Sequence, residues 1–267
     1  MCNDLTTAEA SERVQRLLLD TTLSLARIKL FRSTNQKALE HGRPLLRSLF
    51  EDEAQKVLLS IHQDSLAMPS ELATSPEVRQ KVCRELADTM LRYSEVVTDA
   101  ATLVFAHTLL DIHTTECLKI LVDSDPLNWF HEVKGERVTL DNLHSVGADG
   151  VIRDEVRKYR NRLVKESITK RIEAIHRHCK PCTKHTISNE PYTYDADRLN
   201  AFDKKRHSIV HAAETSVKDF DLDSELFYLE RTCIYLCLLV GEALSITWKF
   251  NRTLDNYFAS IEKEGNS

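Results

Sequence analysis
Glycine and proline are scarce in this chain, six of each in 267 residues, where average usage would give roughly 19 and 13. Few tight turns and few helix breakers are therefore available, which points to long helices joined by few connections. Apolar–polar alternation of useful length is also missing, so no half-buried strand is expected. The most apolar stretch, Cys233 to Trp248, is interrupted by Glu242 and flanked by Arg231 and Lys249. It is too short and too charged to span a bilayer and reads as a buried core helix, so no membrane partner is expected. There is no glycine-rich phosphate loop, no Gly-x-Ser-x-Gly elbow and no His-Glu-x-x-His, which removes the reactions those motifs serve. A strong positive charge is absent too: 36 Lys and Arg face 41 Asp and Glu, for a formal net charge of −5.

What is present is a set of helix signals around enough apolar residues, 42% of the chain, to build a core. Thr6-Thr-Ala-Glu9 is a capping box, and Val14, Leu17, Leu18, Leu25 and Ile28 continue a helical stripe to about Phe31. A second helix is expected from about Arg43 to His62, stopped by Met68-Pro69-Ser70. Ser75-Pro76 starts the next one, with Ser as N-cap and Pro at the first helical position. That pattern runs to about Val122, as one helix or as two meeting near Thr98, and ends at Asp123-Ser-Asp-Pro126. Residues 127–150 read as a loop with one short helix. Residues 151–178 read as one long basic helix. Asp195 opens a helix with Leu199, Phe202, Ile209, Val210, Ala213 and Val217 on its apolar side. Ser224 is expected to cap the last helix, which runs to about Ile261. The fold class is all-α: an N-terminal helical region over residues 1–94 and an up-and-down helical bundle over 95–264. The seven cysteines include Cys117, Cys233 and Cys237 in apolar helical contexts. They read as buried thiols in a reducing, cytoplasmic location.

The chemistry concentrates at residues 206–211, Arg-His-Ser-Ile-Val-His. His207 and His211 are spaced i, i+4 and share one helix face, with Arg206 beside them. A histidine that titrates near neutrality next to a fixed cation suits proton transfer on a phosphodiester. Spacing alone does not distinguish the motif, since Arg171 and His176 repeat it. The added Ile-Val before the second histidine does.

The segment Asp203-Lys-Lys-Arg-His-Ser-Ile-Val-His211 resembles the signature of HEPN domains, the higher eukaryote and prokaryote nucleotide-binding family, over about residues 95–250. The resemblance implies a metal-independent endoribonuclease, a toxin or defence effector that needs no cofactor. In it the ribose 2′-OH attacks the adjacent phosphate to give a 2′,3′-cyclic phosphate. By the same resemblance His211 transfers protons, Arg206 stabilises the phosphate charge and His207 takes the polar position of the motif. A homodimer with a composite site is implied, together with a regulatory or antitoxin partner. The competing expectation is a non-catalytic helical module for dimerisation or partner docking.

Two other clusters bear on binding. Residues 153–185 carry eleven basic and four acidic side chains, an island of positive charge in which Arg157, Lys158, Arg160 and Arg162 are the expected RNA contacts. His176-Arg-His178-Cys179-Lys-Pro-Cys182-Thr-Lys-His185 holds a Cys-x2-Cys with flanking histidines. A second ligand pair at finger spacing is missing, so it reads as a helix end running into a basic loop, and no metal site is expected.

Overall fold
The computed structural model describes residues 5–63, 75–133, 140–179, 186–187, 190–212, 220–246 and 248. The fold is all-α. Helix α1 spans Thr7–Gln63, α2 Pro76–Ser124, α3 Pro126–Phe130, α4 Leu140–Leu163, α5 Ile168–His178, α6 Ala196–Ala212 and α7 Leu222–Ala243. Among the described residues the only extended pairing is a two-residue antiparallel contact, Thr186–Ile187 with Glu190–Pro191.

The caps at Thr6, Ser75 and Asp195 form where the sequence placed them, the expected cap at Ser224 does not, and Asp125, read as part of a helix stop, supplies another. The Thr6 N–H donates to Glu9 Oε2 at 2.8 Å, and the Glu9 N–H donates back to Thr6 Oγ1 at 3.3 Å. The Val78 N–H reaches Ser75 Oγ at 3.3 Å. The Asp125 carboxylate accepts from the Asn128 N–H at 3.2 Å, and Asp195 accepts from the Arg198 N–H at 2.9 Å. Each satisfies an otherwise orphaned helix N–H.

Four expectations are corrected. Residues 7–63 form one helix rather than two, although Pro44 lies inside it. Proline removes a single backbone donor, and Gln36, Lys37, Ala38, Leu39 and Glu40 before it are all good helix formers. The basic stretch 151–178 is two helices: Ser167 turns extended, with φ −58° and ψ 157°, and caps α5 by accepting from the Lys170 N–H. Helix α7 begins at Leu222, two residues before Ser224, and ends at Ala243 rather than near Ile261. Val210 is 46% exposed and does not face a core. Ala213, Val217 and the Met68-Pro69-Ser70 break lie outside the described residues.

The chain divides into two compact units. The first comprises residues 1–25, 106–204 and 224–267. Its core packs Val14 and Leu25 of α1, Leu110 and Leu118 of α2, Ile172 and Ile175 of α5, and Leu229 and Leu236 of α7, all at most 2% exposed. Helix α4 bends at Gly147, where φ is 73°, a left-handed value that favours glycine. Gly241 has a packing role: a Cβ there would come within 2.5 Å of the Trp248 ring. The second unit comprises residues 26–105 and 205–223. In it α1 and α2 form an antiparallel hairpin, joined by ion pairs of Arg32 with Asp99, Arg43 with Glu95 and Arg47 with Asp88.

Candidate functional site
The helix that carries the motif is anchored before the motif begins. Within the first unit, the His107 ring is buried on α2 and lies 2.7 Å from Asp203 Oδ1 through Nε2. It also stacks on Phe202, with ring centroids 5.8 Å apart. These contacts fix the phase of α6 about one turn before Arg206.

The structure brings the two motif histidines together. The rings of His207 and His211 lie 4.3 Å apart, centroid to centroid, at an angle of 43°, and both side chains are exposed. Arg206 is half-buried. Its Nε is shielded from solvent and has no hydrogen-bond partner, and among the described residues no carboxylate pairs with it. Two solvent-facing imidazoles thus sit one turn apart on α6, with the half-buried Arg206 adjacent to them in sequence. Imidazoles can accept and return protons, while the guanidinium can hold a phosphate.

The basic strip is largely occupied. Arg157 Nη2 donates to Asp154 at 2.8 Å, Lys158 Nζ to Glu155 at 2.7 Å, and Arg160 to Asp123. Arg162 stands over the Tyr159 ring, 6.0 Å from its centroid. Three of the four cations are therefore offset by acids, two of these acids already within the stretch's own count and the third, Asp123, outside it.

The chance-spaced pair, Arg171 and His176, is structural. Arg171 is 3% exposed and donates to the Asp111 carboxylate, the Asp111 carbonyl and the Thr115 hydroxyl. His176 Nε2 lies 3.1 Å from the Tyr235 hydroxyl, and its ring packs edge-on against Tyr194 and Tyr235. Burial pushes its pKa below the usual imidazole value. His178 stacks on Trp129 with centroids 3.5 Å apart, and burial lowers its pKa as well, against an opposing pull from Glu132. Cys179 is buried and its thiol is pushed up to about 12, which keeps it protonated at neutral pH. Cys182 and His185 lie outside the described residues.

One cluster escaped the sequence reading. His113, Cys117 and Cys237 are all buried, with their ligand atoms within 4.8 Å of one another. The i, i+4 spacing of His113 and Cys117 was visible, but their meeting with α7 was not. The hydrogen bonds decide its character. His113 Nε2 is 2.9 Å from the Cys233 carbonyl and Nδ1 is 2.8 Å from Thr21 Oγ1. A carbonyl can only accept, so Nε2 carries the proton and Nδ1 accepts from the Thr21 hydroxyl. Neither nitrogen is left to ligate, and burial raises the Cys117 thiol well above its usual range. The cluster is a satisfied polar tie between α1, α2 and α7.

No family model matches the chain, and neither a curated protein nor a solved structure matches it.

Proposed function
We propose that the protein is a metal-independent endoribonuclease of HEPN type, acting through Arg206, His207 and His211. One observation carries the reading: two exposed imidazoles 4.3 Å apart beside a guanidinium whose Nε has no hydrogen-bond partner. In the proposed reaction the 2′-oxygen forms a bond to phosphorus and the bond from phosphorus to the 5′-oxygen breaks. His211 takes the 2′-hydroxyl proton, and an imidazolium returns a proton to the departing 5′-oxygen. Arg206 stabilises the charge that builds on the non-bridging oxygens. His207 donates a hydrogen bond to the same group. The site is composite in this reading, with a second copy supplying a second motif across a two-fold axis. The protein then acts as a toxin or defence effector, and the helices of residues 1–94 or a separate partner keep it in check.

The decisive experiment is cleavage of RNA by wild type, His211→Ala and Arg206→Ala. Each variant should fold and should lose about 10²-fold or more of the rate. Products should end in 2′,3′-cyclic phosphate, and cleavage should persist in EDTA. Activity that dies in EDTA and survives His211→Ala would refute this mechanism.

A second reading, a non-catalytic helical module, is favoured by the ion pairs that occupy Arg157, Lys158 and Arg160, since these leave less charge for RNA. Wild-type protein without cleavage on any RNA would select it.

A further inference from the structure
The hairpin of the second unit has two unlike sides. Half-buried residues mark where α1 faces its neighbour, among them Leu39, Leu46 and Phe50, while Cys83, Ala87 and Leu91 are buried on α2. The ion-pairing residues Arg47 and Asp88 each follow one of these positions, Leu46 and Ala87, by one residue. The exposed apolar residues each precede one. On α1, Leu45 and Leu49 come before Leu46 and Phe50; on α2, Leu86 and Met90 come before Ala87 and Leu91. One residue turns a helix by about 100°, and in an antiparallel pair the same offset turns both helices to the same side. The ion pairs therefore line one side of the hairpin and the apolar residues the other.

That apolar side is continuous. It runs through Phe31, Leu45 and Leu49 on α1 and through Leu86, Met90, Tyr93 and Val97 on α2, all between 38% and 67% exposed. The α2 set is spaced 4, 3 and 4, the interval of a helix–helix seam. Thr34, Ala38, His41 and Val82 fill the positions between and next to them, so between Phe31 and Leu49 and between Val82 and Val97 the side carries no Lys, Arg, Asp or Glu; Asp52, Lys56 and Arg79 mark its far end. The burial in the hairpin is one-sided: Cys83, Ala87 and Leu91 are buried on α2, but no described side chain of α1 from residue 26 onward is. Two helices in this state need further helices to close a core.

We propose that this face docks on the same face of a second copy, so that two hairpins form an intermolecular four-helix bundle. Area supports a second copy. Aromatic side chains bury about 150–250 Å² each; Phe31 and Tyr93 with five smaller aliphatic residues, each roughly half exposed, offer on the order of 600 Å². A standard stable interface takes about 800 Å² per partner. A two-helix-wide face without charge also matches itself, as an isologous contact requires. The interface stands independently of the ribonuclease reading, although Arg206, His207 and His211 belong to the same compact unit.

The test uses the full chain in light scattering at tens of micromolar. Wild type should give twice the 30.6 kDa chain mass. Leu49→Glu with Met90→Glu should halve the measured mass and weaken dimerisation by about 100-fold or more, the scale of a lost interface anchor. Both residues are exposed within the chain, so far-UV ellipticity should stay unchanged. Arg47→Ala on the charged side should leave the dimer intact. A photo-crosslinker at residue 49 should give a dimer-sized band, and one at residue 47 should not. A monomeric wild type overturns the proposal. So does a dimer that survives the Glu pair, which would place the interface elsewhere on the chain.

Discussion

His207 and His211 face each other across one helical turn, their rings 4.3 Å apart and both open to solvent. Such proximity makes joint action on one phosphate testable by a double-mutant cycle. His207→Ala and His211→Ala should each slow RNA cleavage, His211→Ala by about 10²-fold or more. If they serve one step, the double variant should be little slower than the worse single variant. Multiplicative losses would mean that the two imidazoles act separately.

The basic strip gives a second test. Arg157→Gln with Lys158→Gln should weaken RNA binding and lower the slope of log affinity against log salt by about 1.5, the loss of two phosphate contacts. An unchanged slope would assign both cations to Asp154 and Glu155 alone.

Arg171 should matter for stability rather than chemistry. Arg171→Met removes a buried guanidinium that holds Asp111 and Thr115. Asp111 is nearly half exposed and rehydrates, so the cost should be about 2–3 kcal/mol in denaturant unfolding, below the usual penalty for a fully buried pair. Arg171→Lys should recover only part of it, because an ammonium cannot span the same acceptors. An unchanged midpoint would show that the buried guanidinium contributes nothing net.

Stability should also depend on pH through His176 and His178. Burial lowers both pKa values in the folded chain. The unfolded chain therefore binds more protons as pH falls, and stability rises with pH. Their contribution is fully present above the unfolded value of about 6.5 and is lost as pH drops through it toward the folded values. His178→Phe keeps a ring against Trp129 and removes one titrating group. It should flatten the thermal midpoint between about pH 6.5 and pH 5; an unaltered slope would exclude His178 as a source.

His176→Ala illustrates the difference between spacing and environment. The variant loses the Tyr235 hydroxyl contact and two edge-on ring contacts, and should destabilise the chain by about 1–2 kcal/mol. Cleavage by the folded fraction should be unchanged, and a rate loss at full folding would place His176 in the chemistry.

Helix starts were legible in the sequence because caps are local. Thr6 with Glu9, Ser75 with Pro76, and Asp195 each act within three residues. Helix ends and breaks were less legible. Pro44 did not stop α1, since one missing donor is tolerated in a strong helical context, and Ser167 broke the basic stretch although Lys165 and Glu166 just before it are good helix formers. Part of the strip's neutralisation was readable, because Arg157 and Lys158 have acids three residues away. The pairing of Arg160 with Asp123 spans 37 positions and needs tertiary structure. The motif was visible by residue type, but the exposure of Val210 was not. Apolar identity does not say which face of α6 meets a neighbour.

Both tryptophans, Trp129 and Trp248, belong to the first compact unit, and the second has none. Trp129 is 2% exposed, so its emission changes when that unit opens. Ellipticity at 222 nm sums helix from both units, including the hairpin that fluorescence cannot see. Superimposable denaturation curves by the two signals would mean a single cooperative block; separated curves would mean that the hairpin melts on its own account.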